Sequence, residues 1–246
     1  MGRVYKRPPL IEALCEFHFD PNSPWDVTIF GDYYHHVRDE FPEKRQLPQM
    51  EMALEKREGG VISEVRDRGV RMQFLRPDRS ALVQLAPHLL VVNQLRPYAS
   101  WEMFKMLIQA RLNDYQSVTD AMPLGQVVLR YINLFECSAE AFSVGAVFNA
   151  SEFLPDRLMQ SGAPFFIRLE MPQAVSRHLA LTMGTMESSK PDQIAVLLDI
   201  ALWVTDKSAL ENDRLSGTLD NAHDCIEEVF ESCLTDTWRA RFNREV

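Results

Sequence analysis

The chain has 246 residues, of which 46% are hydrophobic and 25% are charged, and its net charge at pH 7 is -9. This is the composition of a folded globular protein with a sizeable core, so long disordered segments are not expected. The acidic balance disfavours a protein that works mainly by coating nucleic acid or an anionic membrane surface.

The compartment indicated by the sequence is the cytoplasm. The first residues are polar and basic and lack the apolar stretch of a signal peptide. The most apolar run, residues 194–204, contains Asp199 and is too short to span a bilayer. The four cysteines form no C-x-x-C pair, so reduced thiols are expected. We therefore expect a soluble protein with no membrane partner and no cofactor.

The first half of the chain opens with a strand in which apolar and polar residues alternate. Glu12, Glu16 and His18 fall on one face of this strand, and the other face is apolar. A helix capped by Ser23 is predicted to follow and to end at Pro42, and residues 43–60 are interpreted as a loop leading into a strand. The predicted strands of this half span residues 10–19, 61–66, 70–75, 81–86 and 89–93.

Turns and a long helix complete the first half. Asp67-Arg68-Gly69 is predicted to turn the chain in one hairpin, and residues 77–80 in the next. Ser100 is the predicted N-cap of the long helix. The inward stripe of this helix is apolar apart from one arginine, and it comprises Phe104, Leu107, Ile108, Arg111, Leu112 and Tyr115.

The second half repeats the order of the first. A strand is followed by a short helix capped by Ser151, by three antiparallel strands and by a long helix after Thr218. The predicted strands span residues 127–135, 165–171, 178–186 and 194–206.

This order predicts an α+β fold made of two β-α-(antiparallel strands)-α pseudo-repeats, 1–121 and 122–246, in one structural unit. The expected architecture is a broad antiparallel sheet with the long helices on one face. The element order is like that of the TATA-binding protein, a comparison of fold that carries no function.

Two groups of histidines are candidates for acid–base or metal chemistry. His35 and His36 share the predicted helix with nearby carboxylates, but without a His-Glu-x-x-His motif a solvated helix flank is the plainer alternative. His18 lies with Glu12 and Glu16, where a desolvating pocket would permit acid–base work. Polar groups at an edge or interface are the alternative there.

No nucleophile or phosphate-binding motif is present, so no catalytic residue is predicted. No serine lies in a G-x-S-x-G turn, and Gly59-Gly60 is not followed by a helix. Residues 56–79 carry an excess of basic side chains, and Arg66, Arg68 and Arg71 are candidate nucleic-acid contacts. Charge that protects an edge strand is the alternative.

Arg130 is the residue that fits its predicted strand least well. It alternates with Val128 and Ile132 and is therefore predicted to point toward an apolar face. A buried guanidinium needs an acceptor. Glu12 is a conceivable partner, although the strand alternation places it on the opposite face, and a structural bridge is favoured over a ligand site.

Several words of the sequence resemble a sporadically distributed family of uncharacterised prokaryotic proteins of about this length. The resemblance covers the first 135 residues or so, and Pro8 departs from the expected small residue. The words are Pro8-Pro9-Leu10-Ile11-Glu12-Ala13-Leu14, Val92-Asn93-x-x-x-Pro97-Tyr98-x-x-Trp101 and Leu129-Arg130-Tyr131-Ile132-Asn133.

The resemblance implies no activity and no catalytic residues. The patchy distribution of the family is like that of mobile, defence-linked or toxin–antitoxin-linked genes. The family-motif positions are candidates for either a functional or a structural role, and they are Glu12, Asn93, Tyr98, Trp101, Arg130, Tyr131 and Asn133.

Three functional hypotheses follow. The first is a non-enzymatic prokaryotic accessory protein that binds a protein partner through its open sheet face or its acidic last helix, in a defence- or toxin–antitoxin-linked system. The second is a nucleic-acid-binding component that uses Arg66, Arg68 and Arg71. The third is a small-molecule enzyme that uses Glu12 and His18 or the His35–His36 helix. A homo-oligomer is compatible with each.

Overall fold

A computed structural model of the chain describes residues 5–57, 60–120, 122–151 and 154–243, without the side chains of residues 49–57 and 60–68. The strands are β1 Leu10–Phe19, β2 Glu43–Arg57, β3 Gly60–Leu75, β4 Ala81–Ala86, β5 Leu89–Leu95, β6 Leu124–Ser138, β7 Phe166–Ala174, β8 Arg177–Glu187 and β9 Gln193–Val204. The helices are α1 Ile29–Val37, α2 Trp101–Val118, α3 Val144–Val147, α4 Asp156–Met159, α5 Asn212–Cys233 and α6 Asp236–Arg241.

In the described part of the chain, nine strands form one antiparallel sheet in the order β2-β3-β4-β5-β1-β6-β9-β8-β7. The central pair is β1 with β6, and Leu14 lies opposite Arg130 in their register. The predicted mixture of helices with a broad antiparallel sheet is confirmed.

The two faces of the sheet bury different residues. Alternate strand residues such as Cys15, Leu129 and Ile200 pack with the buried residues of α1, α2, α3, α5 and α6 in the main core. A second cluster contains only strand residues, namely Leu14, Ala86, Leu89, Val91 and the half-buried Ile132. We call the sheet surface that carries this cluster the open face, because no described helix residue belongs to the cluster.

The long helix α2 forms where the sequence predicts it. Ser100 lies in extended backbone, and its side chain accepts a hydrogen bond from the backbone N–H of Met103, which satisfies one free donor of the first turn. The apolar residues of the predicted inward stripe are buried. No helix among the described residues is long and apolar enough to cross a membrane.

Two predictions about the edge of the sheet are wrong. The region interpreted as a loop forms β2, which pairs with β3 almost from end to end. The predicted turn at Asp67-Arg68-Gly69 lies inside β3, where the β2–β3 register shifts between Pro48 and Met50. Gly69 has φ 92°. A glycine with positive φ at a register shift is typical of a β-bulge, and this explains why a turn-like sequence does not turn the chain.

Three predicted helix starts are also wrong. The last long helix begins at Asn212 and not after Thr218, because Thr218 lies inside α5, where its hydroxyl donates to the Ala209 carbonyl. The first helix begins at Ile29 and not at Pro24, because Asp26 Oδ1 accepts a hydrogen bond from the backbone N–H of Thr28 and forms a turn before the helix. Ser151 does not cap a helix that runs to residue 160. The short helix α4 forms within this range, α3 precedes it at Val144–Val147, and residues 152 and 153 lie outside the described residues.

Candidate functional site

A chain of side-chain amides crosses the open face and ends on a carboxylate. Gln73 Nε2 donates to Gln84 Oε1 at 3.1 Å, and Gln84 Nε2 donates to Asn93 Oδ1 at 3.1 Å. Asn93 is fully buried, and its Nδ2 donates to Glu12 Oε1 at 2.6 Å. Because Gln84 and Asn93 each use both the oxygen and the nitrogen of the amide, their polar groups are satisfied and the row ends with a donor to Glu12.

Arg130 continues the polar surface on the other side of β1. Its Nε and Nη2 donate to Oδ1 and Oδ2 of Asp199 at 2.8 and 2.6 Å, which is a bidentate pair. The Asp199 side chain is 8% exposed and that of Arg130 is 38% exposed. The hydrogen bonds that Arg130 donates to Asp199 raise the pKa of the guanidinium.

The structure corrects the predicted face of Arg130 and the partner suggested for it. Arg130 lies opposite Leu14, and strand alternation therefore places it on the open face together with Glu12, not on the face opposite to Glu12. Its ion-pair partner is Asp199 of β9. The apolar core lies on the other face, where Leu129 and Tyr131 point.

The middle of the open face carries an excess of carboxylates. Glu16 Oε2 lies 2.8 Å from His18 Nε2, and Glu12 is bonded to an amide. Arg130 is the one fixed cation that β5, β1, β6 and β9 place on this face in the described structure, and it is paired with Asp199. The charges of Glu12 and Glu16 therefore remain beside the apolar cluster.

A second polar network lies on the helix side of the sheet, around His223 of α5. His223 Nδ1 lies 2.7 Å from Tyr131 Oη, which in turn lies 3.2 Å from Tyr98 Oη. The Trp101 ring stacks on the imidazole with 4.4 Å between centroids and 7° between planes. Trp101 Nε1 donates to Asp220 Oδ1 at 2.8 Å, which ties α2 to α5.

Burial sets the protonation of this network. It lowers the pKa of His223 and raises the pKa of Tyr131, because each charged form would lose hydration. The histidine and the tyrosine are therefore neutral near pH 7. Of the motif residues, the structure brings Tyr98, Trp101 and Tyr131 together here, and it places Glu12, Asn93 and Arg130 on the open face.

The other predicted residues are separate. Asn133 Nδ2 donates to the Leu198 carbonyl at 3.2 Å and holds β6 against β9. His35 and His36 are exposed on α1, whereas His18 lies on the open face. The structure therefore assembles no site from these three histidines.

The arginines predicted to contact nucleic acid lie on β3. Arg71 Nη1 donates to Gln84 Oε1 at 3.5 Å and thus lies at the end of the amide row. The side chains of Arg66 and Arg68 lie outside the described residues.

His223 was not identified from the sequence. The available signal was a spacing on one helical face: His223, Asp224 and Glu227 follow Asp220 by three, four and seven residues. The pattern predicts a polar stripe equally well. Only the contacts with Trp101 and Tyr131, which are distant in sequence, distinguish a site at His223 from a polar helix stripe.

Comparisons with known proteins provide no identification. No protein-family model and no curated protein matches the chain. Among solved structures, it is similar to the di-domain ARO/CYC StfQ from the steffimycin biosynthetic pathway, at 12% sequence identity over 94% of this chain and 96% of that chain. The TM-score of 0.22 is too low to carry an argument about fold or activity.

Proposed function

We propose that this protein is a non-enzymatic interaction protein that holds a protein partner on its open face. The observation that carries the proposal is the second apolar cluster, in which Leu14, Val91 and Ile132 form part of a sheet surface without a described helix residue. The cluster is itself buried, with Leu14 6% and Val91 2% exposed, so a partner on this face would contact mainly the polar and charged side chains beside it, which resemble the polar rim of an interface.

The charges on the open face favour a basic partner segment. Glu12 and Glu16 flank Leu14 along β1, so a lysine or arginine of the partner would meet a carboxylate beside the apolar cluster. Complementary charge of this kind steers association and selects partners. The same carboxylates would repel nucleic-acid phosphates at this position.

We further propose that 1–121 and 122–246 are copies of one unit in the order of the TATA-binding-protein fold. The support is the strand order, in which β5-β4-β3 follow β1 outward and β9-β8-β7 follow β6 outward. The prokaryotic defence- or toxin–antitoxin-linked setting rests on the sequence resemblance alone.

Two histidines on different surfaces, the half-buried His18 and the exposed His36, provide a direct test. A photoreactive phenylalanine analogue at position 18 reports on the open face, and the same analogue at position 36 reports on α1. In cells of the source organism, we expect one protein to be cross-linked from position 18 and not from position 36. Equal cross-linking from both positions would show that the open face is not the contact surface. A nucleic-acid adduct at position 18 would show that the partner is a nucleic acid and not a protein.

The purified complex then tests the charge argument. The double variant Glu12→Gln/Glu16→Gln removes two charges and keeps both side-chain shapes. The control Asp32→Asn/Asp39→Asn removes two exposed charges from the α1 region. We expect the first pair to raise Kd about tenfold at low salt and the control to change it little, because two partly screened ion pairs contribute about 1.4 kcal/mol together. If both double variants weakened binding equally, the effect would come from the net charge of the protein and not from the carboxylates of the open face.

A further inference from the structure

Three side chains on one face of α5 are close enough to share a metal ion. His223, Asp224 and Glu227 offer ligand atoms that all lie within 4.8 Å of one another. Two other observations distinguish this group from an ordinary acidic helix face, and both concern the imidazole.

The first observation is that His223 is held in place by groups outside α5. Its side chain is 9% exposed, its Nδ1 is engaged by Tyr131 Oη, and its ring is stacked on Trp101. Metal-binding histidines commonly have their second ring nitrogen fixed by a hydrogen bond in this way. The arrangement leaves Nε2 directed toward the carboxylates.

The second observation is the distance between His223 Nε2 and Glu227 Oε1. It is 3.3 Å, and no hydrogen bond between these atoms is formed in the described structure. Two ligands of one tetrahedral ion, each bonded at about 2.1 Å, lie about 3.4 Å apart. The two atoms therefore already have the spacing of neighbouring zinc ligands.

We propose that His223 Nε2 and the carboxylates of Asp224 and Glu227 bind a divalent first-row transition ion, for which Zn²⁺ is the best fit. One imidazole with two carboxylates suits such an ion better than Mg²⁺ or Ca²⁺, which prefer oxygen ligands alone. Water fills the remaining position. This proposal goes beyond the proposed function and does not depend on it, because the site lies on the helix side of the sheet.

The tyrosines explain how Nε2 becomes a ligand. When Nδ1–H donates to Tyr131 Oη, the Tyr131 hydroxyl can donate to Tyr98 Oη, and the lone pair remains on Nε2. A bound cation also offsets the mutual repulsion of the neighbouring Asp224 and Glu227 carboxylates.

The test uses the metal-free full-length chain and Zn²⁺ alone, measured by titration calorimetry, with Co²⁺ absorption to report coordination. We expect one equivalent to bind and to raise Tm. Glu227→Gln should weaken binding at least tenfold, and Tyr131→Phe should weaken it by about tenfold through the loss of the bond that orients His223. Glu170→Gln is the matched control, because Glu170 Oε2 lies 3.6 Å from His178 Nε2 in an exposed histidine–carboxylate pair.

Quenching by Co²⁺ locates the ion. Bound next to His223, Co²⁺ should quench Trp101 fluorescence, and the quenched component should be missing in Trp101→Phe. Because Asp224 is exposed, Asp224→Asn provides a second ligand variant that does not disturb the core. Failure to bind one equivalent would overturn the proposal. Binding that Glu227→Gln leaves unchanged, or that Glu170→Gln weakens equally, would show an adventitious ion only and would also overturn it.

Discussion

Asp199 is a buried carboxylate that depends on a single guanidinium. Its side chain is 8% exposed, and both of its oxygens accept from Arg130. Removing one member of a buried pair leaves the other charge without compensation, whereas replacing both with apolar residues is often neutral. The cost of losing Arg130 should therefore come mainly from the uncompensated Asp199 carboxylate that it leaves between β6 and β9.

The first prediction follows from this pair. Arg130→Leu should lower the free energy of unfolding by about 2 kcal/mol, less than the loss of a fully buried partner because Arg130 is 38% exposed. The double variant Arg130→Leu/Asp199→Leu should recover most of that loss. Urea denaturation of the four proteins of the cycle measures both effects.

An exposed pair on the same face serves as the control. Arg168 and Glu170 have side chains that are 43% and 54% exposed, so Arg168→Leu should cost about 0.5 kcal/mol. If Arg130→Leu cost no more than Arg168→Leu, Asp199 would have to be stabilised in another way.

At the scale of residues, the sequence predicted the two faces of β1, but it predicted neither the face of Arg130 nor the long-range partners of the polar side chains. The two-residue period of β1 correctly grouped Glu12, Glu16 and His18 on one side. The partner of Arg130 is 69 residues away on β9, and that of His223 is 92 residues away on β6. No local pattern specifies such pairs, because they depend on strand order.

At the scale of elements, replacing either of two glycines with alanine should change the stability of the protein in opposite directions. Gly69 has φ 92° in β3, whereas Gly217 lies inside α5, and a Cβ at either position would meet nothing within 4 Å. Gly69→Ala should therefore destabilise the protein by about 1 kcal/mol through backbone strain alone. Gly217→Ala should stabilise it by about 0.5 to 1 kcal/mol, since alanine loses less conformational entropy in a helix.

Thermal and urea unfolding of the two variants measure this difference. Equal and small effects would mean that Gly69 is not held in the positive-φ conformation in solution. Gly31→Ala in α1 repeats the helical case, because Gly31 also has open space around its Cβ position.

The elements that the sequence predicted well have one clear apolar period. The apolar stripe of α2 and the alternation in β1 match the structure because a buried face requires an apolar side chain at regular positions along the helix or strand. β2 was missed because residues 43–57 alternate too little to indicate a strand. Asp67-Arg68-Gly69 has turn chemistry, and a bulge requires the same positive φ as a turn.

At the scale of the molecule, the two halves of the chain are joined along the middle of the sheet. β1 and β6 pair without a register shift from Glu12 to His18, and one further pair follows a shift at each end. The ends of the chain also cross over, since Arg7 N donates to the Phe242 carbonyl at 3.0 Å and Tyr5 Oη donates to Glu231 at 2.6 Å. α2 and α5 meet through Trp101 and Asp220. The repeated order of elements predicted two halves, but it could not show how much of the structure of each half depends on contacts with the other.

This interlocking predicts that neither half folds alone. Fragment 1–121 would expose the edge of β1, and fragment 122–246 would expose the edge of β6, and both would lose the packing of the long helices against each other. Each should lack near-ultraviolet circular dichroism and tend to aggregate. The two fragments co-expressed, or the full chain cleaved at a protease site inserted after residue 121, should retain the native spectrum, because the pairing of β1 with β6 does not require a covalent connection. Cooperative unfolding of fragment 122–246 by itself would contradict the prediction and would make the halves independent domains.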